Sequence, residues 1–186
     1  MTTTVLVFHP RMDASRVNAR LARAAEDAAA AGADVQVRRL YELYPDFRID
    51  VEAEKRVLEA ADRIVLQFPM YWYSCPPLVK QWEDDVLEHG WAYGSTGTAL
   101  HGKELALAVS PGAPAANYDH EGSFHYTVTD LLRPFQATSN LIGTRFLKPF
   151  VTTGTLTLSD ADLEAQAAAY AAWLTDADLE ELGTFE

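Results

Sequence analysis

Cysteine occurs once in this chain of 186 residues, at Cys75, so an internal disulfide and a multi-thiolate metal site are both excluded. No Cys-His signature surrounds it, and Cys75 reads as a passive loop residue. Histidine occurs five times. His89, His101, His120 and His125 form neither H-x-x-x-H nor H-E-x-x-H, which argues against zinc-type catalysis. The hydrolase elbow G-x-S-x-G is missing. So are G-x-G-x-x-G and G-x-x-x-x-G-K, which disfavours a dinucleotide Rossmann site or a P-loop. No apolar run approaches the roughly 18 residues of a membrane span. Met1-Thr2-Thr3-Thr4 also lacks a basic region leading into an apolar one, and a cytoplasmic location is expected. Basic residues are outnumbered, 15 against 27 acidic, for a net charge of −12. That balance opposes nonspecific binding to nucleic acid or anionic membranes.

What the chain does contain is a regular alternation of short apolar runs and amphipathic stretches, within the length of one domain. Thr4-Val5-Leu6-Val7-Phe8 reads as a strand, and residues 17–31 as an alanine-rich helix stopped by Gly32. Strand signals recur at 34–38, 63–66 and 104–109, and again at 145–147 with 150–151. Between them, helices are expected at 51–61, 78–87 and 127–141, the second opened by Pro77. A last helix follows the N-cap pattern Ser159-Asp160-Ala161-Asp162 and runs to about Leu174, leaving 176–186 as an acidic tail. Strands alternating with helices imply an α/β fold: a flavodoxin-like three-layer sandwich around a five-stranded parallel sheet of order 2-1-3-4-5.

Ligands of such folds bind at the carboxyl ends of the strands, and three loops there carry chemistry. The first, His9 to Asn18, ends at a helix start whose free N–H groups and partial positive charge suit a phosphate. His9, Ser15, Arg16, Val17 and Asn18 are its candidate cofactor residues. An ordinary N-cap serine and a loop histidine with a local backbone partner are the plainer alternatives. The second loop, Pro69-Met70-Tyr71-Trp72-Tyr73, follows a buried strand and could hold a flat ring, its alternative being a core plug or a subunit interface. The third contains Ser110-Pro111-Gly112-Ala113, where Gly112 permits close backbone approach to the edge of a flavin. Beyond it, Tyr118 could donate to a carbonyl substrate, and His120 or His125 could supply a proton. Phosphate cradle, aromatic wall and backbone edge together are the parts a mononucleotide ring cofactor needs.

With these loops in view, the chain resembles the flavodoxin-like NAD(P)H:quinone oxidoreductases, the DT-diaphorase superfamily. Within it, the resemblance is to the bacterial branch that includes the ancillary oxidoreductase of Kef potassium-efflux systems and the general stress oxidoreductases. It extends over about 5–173, and its most specific words are Leu43-Tyr44-Pro45-Asp46-Phe47, residues 67–80, His89-Gly90-Trp91-Ala92-Tyr93-Gly94 and Thr98-Ala99-Leu100-His101-Gly102-Lys103. One departure stands out. Relatives carry Thr-Thr-Gly-Gly or Thr-Thr-Gly-Ala where this chain has Ser110-Pro111-Gly112-Ala113, and Pro111 has no N–H to donate. The resemblance implies FMN, with FAD as the form used by animal relatives, and two-electron ping-pong transfer from NAD(P)H to quinones. It implies a homodimer with each site walled by both subunits. Tyr118 falls at the family's substrate-facing tyrosine, and the accompanying histidine of animal enzymes falls at Phe124, next to His125. Two rivals stay open: a one-electron flavodoxin-type carrier, favoured by the acidic surface, and, from the resemblance, a regulatory subunit of a Kef-type antiporter, peripheral at the inner membrane through that partner.

Overall fold

In the computed structural model, residues 1–183 are described. Five strands lie in the order β2-β1-β3-β4-β5, all parallel, and β6 continues the edge by pairing with β4. They are β1 Thr3–Val7, β2 Val35–Arg39, β3 Arg63–Pro69, β4 Glu104–Ser110, β5 Arg145–Phe146 and β6 Phe150–Val151. The three central strands β1, β3 and β4 are buried along their whole length, as the continuous apolar runs require of a sheet covered on both faces. Pro149 stands between β5 and β6, where the fifth strand is interrupted.

Among the described residues, seven α-helices accompany the sheet: α1 Val17–Ala30, α2 Leu40–Leu43, α3 Val51–Ala60, α4 Pro77–Val86, α5 Val128–Leu131, α6 Arg133–Ile142 and α7 Asp160–Thr175. Helices α1 and α7 pack with Val5, Val7, Val65, Ala106 and Ala108 on one face. Helices α3, α4 and α6 pack with Leu6, Phe8, Leu66, Phe68 and Leu107 on the other. The single helix expected over 127–141 is divided at Leu132. Pro134, at the start of α6, offers no N–H and so cannot continue the ladder of α5. Its first part is closed by a reciprocal capping box between Thr127 and Asp130.

The segment after α7 returns to the sheet. Lys148 N–H donates to Glu180 O and Leu182 N–H to Phe146 O, each at 2.8 Å, so 180–182 runs along the free edge of β5. The expected acidic tail therefore begins as an edge cover; its last residues, 184–186, lie outside the described ones.

Candidate active site

The carboxyl ends of β1, β3 and β4 open into a cleft of about 350 Å³. His9, Ser15, Arg16, Val17 and Asn18 line one end; Pro69, Met70 and Tyr71 form a wall; Ser110 and Gly112 form the facing edge. All three loops expected to converge thus do so. Ala14, Thr155 and Leu156 also line the cleft, and the sequence reading had not singled them out. Thr155 and Leu156 follow β6, so they obey the same carboxyl-end rule; the two-residue strand before them gave too short an apolar run to point there.

At the polar end, α1 begins without a side-chain cap, which leaves the N–H groups of its first turn directed out of the helix. His9 stands beside them. Its Nδ1 accepts the Arg11 N–H at 3.1 Å, which places the proton of a neutral ring on Nε2 as a free donor. Burial lowers the His9 pKa and favours that neutral form, although the Arg11 backbone bond pulls the other way.

Arg16 and Asn18 occupy different posts from those expected. The Arg16 guanidinium turns away to Leu158 O at 2.7 Å and to Asp160 at 2.5 Å, tying α1 to the start of α7. Asn18 donates from Nδ2 to Ser110 Oγ at 2.7 Å, so its side chain links α1 to the end of β4. Backbone N–H groups, His9 and Ser15 are thus the groups at this end that could hold an anion.

The wall is built on a tight turn. Ser74 N–H donates to Tyr71 O at 3.0 Å across Trp72 and Tyr73, which have φ of 50° and 61°. Two successive left-handed residues are the geometry of a type I′ turn, normally Asn-Gly. Here two aromatics hold it, with Trp72 93% exposed at the tip. Met70 N–H meets Ser110 O at 3.2 Å, locking the wall to the facing edge. On that edge, Pro111 O and Ala113 O accept from Thr155 and Gly154. This fixes the loop by its carbonyls and turns it around Gly112.

Tyr118 does not itself line the cleft but stands within a row of rings that reaches the wall at Tyr73. Phe124 is 5.0 Å from Tyr118 and 5.6 Å from Tyr73, both edge-on. Burial, and then the neighbouring Tyr73, raises the Tyr118 pKa, so its hydroxyl is a donor at neutral pH. His120 and His125 are not brought into the cleft. His120 Nε2 is 2.8 Å from Asp130 Oδ2, and His125 Nδ1 is 3.2 Å from His120 O, both on an exposed loop. A second hollow of about 300 Å³ adjoins the ring row, lined by Tyr73, Ser123, Phe124, Tyr126 and Leu131.

A family model described as flavodoxin-like fold matches residues 1–174. This chain is 51% identical over 167 residues to an uncharacterized NAD(P)H oxidoreductase, YrkL, of Bacillus subtilis, covering 90% of this chain and 94% of that one. The chain belongs to the flavodoxin-like NAD(P)H oxidoreductase family. The family also includes KefF, the ancillary protein of the glutathione-regulated potassium-efflux system of Salmonella schwarzengrund. KefF is 46% identical over 89% of this chain and 91% of its own. Among solved structures, general stress protein 14 of Treponema denticola, crystallised with FMN, superposes with a TM-score of 0.87. Its identity is 41%, with 94% of this chain and 98% of that chain covered. Among the described residues, no helix is long and apolar enough to cross a membrane, and no cluster of His, Cys, Asp and Glu is placed to hold a metal ion.

Proposed function

We propose that this chain is an FMN-dependent NAD(P)H:quinone oxidoreductase that works by two-electron, ping-pong transfer. The observation that carries the reading is the cleft itself, with phosphate donors at the α1 start, an aromatic wall at Tyr71 and a glycine edge at Gly112. A phosphate sits well on the free N–H groups of α1 and His9 Nε2. An apolar ring sits well between Met70–Tyr71 and Gly112. FMN supplies the hydride-accepting ring that the side chains lack. Every other task falls to the protein. In a ping-pong cycle the acceptor takes the place that the nicotinamide leaves. Tyr118, kept protonated, donates to a quinone oxygen and orients it. His120 and His125 stay outside the cleft, against Asp130 and the His120 carbonyl.

A second copy of the chain completes the site. Tyr71 and Leu156 are exposed at the cleft, Trp72 on the turn beside Tyr71, and Tyr73 and Tyr126 at the second hollow; Leu156 is 86% accessible. Apolar surface grouped in this way is characteristic of an interface. A regulatory role beside a potassium-efflux antiporter is the second reading, favoured by the likeness to KefF, and it is compatible with catalysis. The excess of acidic residues keeps nucleic acid off the list of partners.

Anaerobic stopped-flow mixing of the FMN-loaded protein with NADPH or NADH, then with menadione, tests the proposal. Rapid bleaching of the flavin bands followed by direct two-electron reoxidation is expected. Bound flavin that stays oxidised under both donors, or that returns in one-electron steps, rejects it and favours the regulatory or carrier role.

A further inference from the structure

Strand β3 carries one amide in an otherwise apolar interior stretch, Gln67, and it is fully buried. An aliphatic side chain would fill this place without the demand that a buried amide makes for partners. Both ends of the amide are engaged. Gln67 Nε2 donates to Asn18 O at 2.9 Å, and Gln67 Oε1 accepts the hydroxyl of Tyr170, itself fully buried in α7, at 3.1 Å. From Asn18 the chain of bonds continues through Nδ2 to Ser110 Oγ at 2.7 Å, and Ser110 O accepts the Met70 N–H. One buried amide is thus connected to the first turn of α1, to the end of β4 and to the wall of the cleft. The bonded carbonyl of Asn18 shares its peptide plane with the N–H of Ala19, one of the first-turn groups without an intrahelical acceptor. A bond at the carbonyl fixes that plane and strengthens its N–H as a donor.

We infer that Gln67, braced by Tyr170, is a positioning residue for the flavin phosphate: it holds the first turn of α1 in the register where its N–H groups converge on one anion. The inference rests on the proposed FMN site, and it concerns residues that touch no part of that cleft. Asn18 and Ser110 line the cleft, whereas Gln67 and Tyr170 act only through them.

Flavin with and without the phosphate separates positioning from general packing. FMN and riboflavin are titrated into the flavin-free full-length protein and followed by flavin fluorescence. Gln67→Met keeps the volume and removes both bonds; it is expected to weaken FMN by about tenfold or more while riboflavin shifts by less than about twofold, roughly the loss of one charge-assisted hydrogen bond. Tyr170→Phe frees only one end of the amide and is expected to give a smaller loss, again confined to FMN. Equal weakening of both ligands, or no change in either, overturns the inference. If Gln67→Met does not fold, Tyr170→Phe decides by the same ratio. If wild-type protein binds neither flavin, the proposed function itself has failed.

Discussion

Trp72 shows most sharply how a single residue here departs from what folding alone favours. Its left-handed backbone costs about 1–3 kcal/mol, and at 93% exposure its indole returns no burial within the chain. Trp72→Gly should therefore raise the unfolding free energy of the isolated chain by about 1 kcal/mol in urea titrations. The same change should weaken self-association and turnover, because strain retained at an exposed aromatic points to a partner surface. Gly122 is constrained in the opposite way. A Cβ there would stand 2.5 Å from Ala116 O and 2.8 Å from Asn117 O, both backbone atoms just before Tyr118. Gly122→Ala should displace the Tyr118 loop and raise KM for quinone more than it changes FMN affinity, as steady-state kinetics beside a flavin titration would show. The sequence revealed the aromatic loop by composition but not its turn type, since Trp-Tyr is no I′ signature. It also suggested phosphate contacts for Arg16 and Asn18, which line the cleft. Within the chain they bond Asp160 and Ser110, more than 90 residues away in sequence, and no local pattern announces such bonds.

Among the elements, α3 and α4 are joined by a buried acid. Glu54 is fully buried and accepts from Tyr44 Oη at 2.7 Å, from Trp82 Nε1 at 3.0 Å and from Arg38. Removing the acceptor leaves two buried donors, Tyr44 and Trp82, and the partly buried charge of Arg38 without a partner. Glu54→Ala should accordingly lower stability by about 3–5 kcal/mol in chemical denaturation. This arrangement gives a physical reason for Tyr44 within the word Leu43-Tyr44-Pro45-Asp46-Phe47, which the sequence offered only as a resemblance. Burial, followed by the Glu54 bond, pushes the Tyr44 pKa up to about 12, and burial raises that of Tyr170 as well. In the unfolded chain tyrosine ionises near 10.0, so above that pH the folded state holds protons that the unfolded state has released. The contribution of Tyr44 is full below pH 10 and is lost as pH rises through about 12, and that of Tyr170, raised in the same direction, is likewise full below pH 10 and declines above it. Urea midpoints should fall across that window, and less steeply in Tyr170→Phe. Strands and long helices were legible because their periodicity and apolar runs are strong. The break at Leu132 and the four-residue α2 were missed: alternation over a few residues carries little signal, and the consequence of Pro134 depends on the helix geometry around it.

At the scale of the whole molecule, the sheet order followed from the βαβ alternation, and the convergence of three loops followed from that order. What single-chain patterning could not convey is how open the cleft is, with an exposed aromatic rim around its mouth. Sedimentation of the wild-type protein should give a dimer. Trp72→Gly should shift the population toward monomer, and an unaltered monomer in both would remove the proposed second wall. The most direct measurement is a crystal structure of the protein with FMN. The phosphate should lie on the first-turn N–H groups of α1 beside His9, with the ring between Met70–Tyr71 and Gly112. A phosphate bound elsewhere, or a ring outside the three loops, would contradict the assignment of this cleft.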